Sequence, residues 1–169
     1  KVQVFKTYGT AMLRYDDIEI EFVGARKESY AEHSRNPIVE NGTLEDDQNR
    51  RDFTINALAV SLNQDTLGQI IDPFNGIYHI EQKLLKTPLE PSKTFSDDPL
   101  RMMRAAYFAS KLNFKLDSDC RAAITNQSDR ISIVSWERIR EELRAGKSNS
   151  AAIRDGFQHS YSAIIDANV

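Results

Sequence analysis

Residues 17–22 read Asp-Ile-Glu-Ile-Glu-Phe, a strict alternation of charged and apolar side chains. Side chains repeat with period two only along an extended strand, so this stretch cannot be an amphipathic helix. The same alternation runs back through Leu13 and Ala11 to Val4 and Val2, broken at Gly9. The pattern predicts half-buried strands over 2–23 joined at Tyr15-Asp16-Asp17, with Ile18, Ile20 and Phe22 facing a core. Asp17, Glu19 and Glu21 then share the opposite face. The period changes after the proline-containing "KTPLEPSK" at 86–93. Leu100, Met103 and Tyr107, with Met102, Ala106 and Ala109, are spaced as an amphipathic helix starting at Thr94/Ser96, with Asp97 and Asp98 at its positive end. An α+β chain is expected: a mixed or antiparallel sheet with helices, followed by an all-helical unit.

Between these landmarks, Gly24 to Gln48 is polar, carries Pro37 and Gly42, and reads as a flexible surface loop. Phe53, Ile55, Ala57 and Leu58 suggest a short helix capped by Asp52. Two short strands, "LAVSLN" and "GQIID", should follow, then a turn at "DPFNGIYHI" entering a helix that ends near Lys83. Further helices are expected over 117–127, 135–145 and 149–165. The boundaries divide the chain into 1–90, 91–145 and a tail at 146–169. The chain opens already in strand alternation and without methionine, which reads as part of a longer protein.

With 22 basic and 25 acidic side chains among 169 residues, the net charge is −3, so any site for a polyanion must be a local patch. The single cysteine, Cys120, permits no internal disulfide, and His33, His79 and His159 lack zinc-site spacing. A reducing cytosol suits this usage. No apolar run approaches the roughly 20 residues of a membrane span and no export signal opens the chain.

Three constellations could carry chemistry. The acids of the 17–21 strand are either a solvated face or a source of one carboxylate for Mg²⁺, which takes carboxylate and phosphate oxygens together. Arg50 and Arg51, before the expected helix, offer planar forks suited to phosphate beside an anion-favouring helix start. Equally, they could pair with Glu45, Asp46 or Asp47. Asn56, one turn past Asp52, could face the same ligand as Asp52 or simply bond to it. In "DDPLR", Asp98 and Arg101 stand three apart on the expected helix, an acceptor beside a donor, or else an ordinary helix ion pair. Cytosine and adenine both present an amino donor next to a ring-nitrogen acceptor, whereas guanine and uracil present the reverse. An Asp/Arg edge would therefore take C and A and reject G and U.

The segments "YGTAMLRYDDIEIEFVGARKESY", "EDDQNRRDFTINALAV", "IIDPFNGIYHIEQKLLKTP" and "TFSDDPLRMMRAAYFASKLNF" resemble, in order, the motifs of bacterial CCA-adding tRNA nucleotidyltransferases and the related poly(A) polymerases. The resemblance covers residues 5 to about 137. It implies a nucleotidyltransferase palm (1–90) and a helical neck (91–145) that reads base and RNA. The activity implied is Mg²⁺-dependent, untemplated addition of C and A from CTP and ATP to tRNA 3′ ends, in the cytoplasm and away from membranes. It also implies that Glu21 is a catalytic, metal-binding carboxylate. Arg51, Asp52 and Asn56, with Arg50 nearby, contact ribose and phosphates, Asp98 and Arg101 form the base template, and Arg104 adds to the phosphate or RNA field. Members often carry Glu where Asp97 stands.

Two departures bear on function. The family's glycine-rich turn and Asp-x-Asp pair precede "FKTYGTA", where this chain has only "KVQV", so the expectation is nucleotide binding without catalysis by this chain alone. A noncatalytic nucleotide- or tRNA-binding remnant is the alternative. Residues 137–169 resemble instead the loop of a SecD-type protein-export subunit, suggesting a fusion, or else form a divergent neck with Ile153, Phe157, Tyr161 and Ile164 packed inward. If tRNA binds, Arg130, Arg138, Arg140 and Arg144 are candidate phosphate contacts, unless they pair with Glu137, Glu141 and Glu142.

Overall fold

The computed structural model describes residues 2–5, 9–31 and 37–147. The strands β1 (Val2–Phe5), β2 (Thr10–Tyr15) and β3 (Ile18–Val23) form an antiparallel sheet in that order, with Ala11 opposite Phe22 and Met12 opposite Glu21. The strands predicted by alternation are present, but the expected burial is not. Ile18, Ile20 and Phe22 are 61%, 41% and 55% exposed, because none of the described residues packs across their face.

The expected loop from Gly24 to Gln48 is largely ordered secondary structure. It contains the antiparallel hairpin β4 (Arg26–Ser29) and β5 (Ile38–Asn41), followed by helix α1 (Leu44–Asn49). Thr43 and Asp46 form a reciprocal capping box, a local signal that polar composition obscured. The helix expected from Phe53 is only a 3₁₀ turn, Thr54–Asn56, and Asp52 does not cap a helix. The short pair β6 (Ala59–Val60) and β7 (Ile70–Ile71) and the helix α2 (Gly76–Glu81) lie where the spacing placed them.

Strand β8 (Leu84–Leu85) pairs in parallel with β9 (Lys115–Leu116), so the chain on either side of "KTPLEPSK" is stitched together by backbone hydrogen bonds. Between them, α3 (Pro91–Asp97) starts on Glu90, whose carboxylate accepts from Ser92 and Lys93, and α4 (Leu100–Leu112) starts after Pro99. The expected single helix from Thr94/Ser96 is thus two: Pro99 disfavours helical backbone at Asp98, whose extended φ and ψ of −139° and 101° break the run. Helix α5 (Ser118–Gln127), a 3₁₀ stretch Ser128–Ile133 and α6 (Trp136–Lys147) complete the described fold. The helix expected at 149–165 lies outside the described residues.

One apolar cluster holds both halves. Phe53, Leu85, Phe95, Met102, Ala105 and Cys120 are completely buried in it. Phe53, the residue after Asp52, meets Phe108 of α4 edge to face, with ring centroids 5.9 Å apart. This contact fixes the turn carrying Asp52 and Asn56 against α4, which carries Arg101 and Arg104.

Candidate functional site

The turn at 52–56 is held from three sides. The Thr54 amide donates to the Lys86 carbonyl at 2.8 Å, and the Thr54 hydroxyl lies 2.9 Å from His79 Nδ1 on α2. Gly76 sits so close beneath that a Cβ there would stand 2.6 Å from the Thr54 carbonyl oxygen, and Asp72 anchors α2 by accepting from Gly76 and Ile77. Burial, reinforced by the charge of Lys86, holds the His79 imidazole below its usual pKa, which keeps it neutral beside Thr54.

So supported, the buried Asp52 carboxylate is a hub. It accepts from its neighbour Phe53 N–H at 2.9 Å, from Asn56 Nδ2 at 3.0 Å and from Arg104 Nε at 2.7 Å. Asp52 and Asn56 therefore bond to each other, one of the two alternatives the spacing allowed. Arg104 also stacks over Phe108, with 5.1 Å to the ring centroid, and comes within 3.9 Å of Glu142 on α6. Burial pushes the Glu142 carboxyl above its usual pKa despite the nearby Arg104.

A second hub lies at the end of α1. Arg50 and Arg51 do not precede a helix; they follow one, and their forks turn back onto Asp47. Arg50 takes one carboxylate oxygen and Arg51 the other, through Nε contacts of 3.0 and 3.1 Å and a shorter contact from each Nη2. The expected helix N-terminus for an anion does not form at this point, and cations at a helix C-terminus answer the dipole instead. Burial opposes the charge on Asp47, but the hydrogen bonds from both arginines outweigh it and hold the carboxyl below its usual range. Arg51 keeps 44% of its side chain exposed, whereas Arg50 keeps 15% and also reaches Glu28 at 3.2 Å. Asp47 had only been one of three possible partners; its i, i+3 and i, i+4 spacing to the arginines was the signal that singled it out.

Arg101 joins the hubs. Its guanidinium, on a residue only 8% exposed, donates from Nη2 to the Arg50 carbonyl at 2.7 Å and to the Tyr30 hydroxyl at 3.4 Å, and from Nη1 to the Thr94 carbonyl at 3.3 Å. It lines a cleft of about 370 Å³ with Glu28, Tyr30, Arg50, Lys93 and Asp97. That volume suits a small ligand. Burial raises the Asp97 carboxyl above its usual pKa, partly offset by Arg101. Asp98 and Arg101 do not share a helix face, since Asp98 precedes α4; its carboxylate accepts the Leu100 N–H at 3.1 Å. Glu28 and Tyr30 were not singled out from sequence, because only the unforeseen hairpin brings them to the cleft.

Glu21 lies exposed on β3 and, among the described residues, makes no hydrogen bond or ion pair with either hub. Its strand neighbour Glu19 is paired with Arg14 at 2.8 Å. No group of three His, Cys, Asp or Glu side chains among the described residues could hold a metal ion. In the neck, Arg138 pairs with Glu141 at 3.0 Å, and Arg130 donates to the Ser96 carbonyl at 2.9 Å. No helix among the described residues is long and apolar enough to cross a membrane.

An antiparallel sheet and hairpin, a carboxylate–amide turn beside paired arginines, and a helical unit buried against that turn make up a nucleotidyltransferase head joined to its neck. The chain belongs to the poly A polymerase head domain family, which matches residues 1–86. Residues 113–145 match the probable RNA and SrmB-binding site of polymerase A. The CCA-adding enzyme of Bacillus velezensis is 38% identical over 162 residues, covering 93% of this chain and 40% of that protein. The Bacillus stearothermophilus CCA-adding enzyme in complex with CTP superposes with a TM-score of 0.70 at 33% identity, over 84% of this chain and 33% of the other. A tRNA nucleotidyltransferase complexed with a primer tRNA and an incoming ATP analog gives 0.80 at 26% identity, over 98% and 45%. The chain spans between 14% and 40% of the length of the curated relatives it matches. The resemblance of 137–169 to a protein-export subunit finds no support in these comparisons, which carry tRNA-enzyme similarity into that segment.

Proposed function

We propose that this chain is the nucleotide-selecting part of a tRNA nucleotidyltransferase that adds C and A to tRNA 3′ ends from CTP and ATP in the cytoplasm. Residues 1–90 serve as the palm and 91–145 as the neck, the two sharing one core. The observation that carries the reading is the 2.7 Å bond from Arg101 to the Arg50 carbonyl. It sets the candidate base reader against the candidate phosphate-binding arginines, 51 residues earlier in the chain.

In this reading Arg51, the more exposed fork, and Arg50 take the triphosphate, while Asp52 and Asn56 face the ribose with Arg104 neutralising Asp52. Arg101 on α4 presents a donor to the base, and the acceptor comes from Asp98 in the extended residue before α4, not from the same helix face. The similar structures solved with CTP, and with a primer tRNA and an ATP analog, support the ligand classes of this reading. Nucleotidyltransferases of this kind generally use a divalent metal, and Glu21 would offer Mg²⁺ one carboxylate. The described residues do not by themselves complete such a site.

Titrating the chain with CTP, ATP, GTP and UTP tests the reading. CTP and ATP should bind more tightly than GTP and UTP, because a wrong base leaves buried donors and acceptors unpaired. Equal affinity for all four overturns it.

A further inference from the structure

Four side chains and one backbone carbonyl, drawn from the β4 strand and its end, from the end of α1 and from α4, close a ring of hydrogen bonds beside the cleft. Arg50 Nη1 donates to Glu28 Oε1 at 3.2 Å, and the Tyr30 hydroxyl donates to Glu28 Oε2 at 2.6 Å. Arg101 Nη2 donates both to the Tyr30 hydroxyl and to the Arg50 carbonyl, which completes the ring. The donor count is self-consistent. A phenol has one proton, which Tyr30 donates to Glu28, and the phenol oxygen is thereby polarised toward the Arg101 guanidinium. Arg101 also lies over the Tyr30 ring, 5.9 Å from the centroid, within cation–π range. Burial and the bond to Glu28 hold the Tyr30 phenol well above its usual pKa, so it remains a donor at any physiological pH.

A guanidinium reads a base edge only if its plane is fixed, because its five N–H groups form a rigid fork. Two of the acceptors holding Arg101, the Thr94 and Arg50 carbonyls, are backbone atoms. Tyr30 is the side chain that both stacks on Arg101 and accepts from it. We propose that Tyr30, braced by Glu28, is a positioning residue that sets the plane of Arg101 and so determines discrimination between nucleobases. Because Glu28 also binds Arg50, the same pair ties the base-reading arginine to a phosphate-binding one. This inference rests on the proposed base-reading role of Arg101.

The test compares CTP and GTP affinities of the chain and of Tyr30→Ala, Tyr30→Phe and Arg101→Ala. In Tyr30→Ala the CTP-to-GTP ratio should fall about tenfold, the range expected when a charged hydrogen bond loses its geometry, with GTP affinity unchanged. Tyr30→Phe keeps the stack and loses the hydroxyl, so its ratio should fall by about threefold; it serves alone should Tyr30→Ala not fold. Arg101→Ala should abolish the preference. An unaltered ratio in both Tyr30 variants, with the preference lost in Arg101→Ala, overturns the positioning role alone. An equal loss of affinity for both nucleotides in the Tyr30 variants also overturns it, since that is what a merely structural role does. Absence of preference in the unmodified chain, or its survival in Arg101→Ala, overturns the base-reading role beneath it.

Discussion

The β1–β3 sheet and the unit around α4 place similar apolar residues in opposite circumstances. Phe22 is 55% exposed on β3, while Phe53 is completely buried against Phe108 and the α4 face. The sheet is held by its backbone ladder, whereas the 52–56 turn and α4 are held by shared side-chain burial and by charges with buried partners. Alternating sequence is enough to specify a strand, but burial depends on what another segment supplies across its face. The residues proposed to handle the nucleotide sit in the second kind of environment, where position is fixed by packing.

The largest effect should separate the two phenylalanines. Phe53→Ala should cost about 3–5 kcal/mol in chemical denaturation, as a large cavity opens at the turn. Phe22→Ala should change the stability of this chain by less than about 0.5 kcal/mol, as exposed positions do. Comparable losses would dissolve the contrast.

Charged groups offer a smaller version of the comparison. Asp47→Ala should cost about 1–3 kcal/mol, because Arg50, 15% exposed, is left with Glu28 as its remaining carboxylate, while the exposed Arg51 adds little. Glu19→Ala, which removes a pair whose side chains are 70% and 47% exposed, should shift stability by no more than about 0.5 kcal/mol. The Asp47 contribution has a definite pH sign. Its folded-state pKa lies below the ordinary 3.8, so the stabilisation is present above that value and is lost as pH falls through the folded pKa.

The smallest expected effect concerns His79. Its folded pKa lies below the ordinary 6.5, so the unfolded chain takes up more proton as the pH falls below that point. Stability should decline through the window just under 6.5, and His79→Gln should flatten the decline in pH-dependent thermal melts.

The sequence made the strands of 2–23 and the helices α2, α5 and α6 legible. The hairpin β4–β5 was hidden because Glu28 and Ser29 lie in a polar stretch whose pairing with Val39 and Ile38 is non-local. The break between α3 and α4 had a local sign, Pro99, that helical spacing outweighed. Of the side chains that the resemblance named, Asp52, Asn56, Arg104, Arg50 and Arg51 lie in the two hubs and Arg101 joins them, whereas Glu21 and Asp98 lie outside. The i, i+3 and i, i+4 spacing of Asp47 to the arginines was a local sign, but no spacing could reveal that Glu28 and Tyr30 organise Arg50 and Arg101, since that depends on tertiary contact between the hairpin, α1 and α4.

The most direct test of a nucleotide site where 50–56 meets 98–104 is the amide spectrum of the isotope-labelled chain, recorded with and without CTP. The largest shifts are expected at residues 50–56 and 98–104, with β1 and α5 little changed and smaller responses to UTP. Shifts concentrated in α5 and α6, with 50–56 and 98–104 unmoved, would contradict a site at that junction.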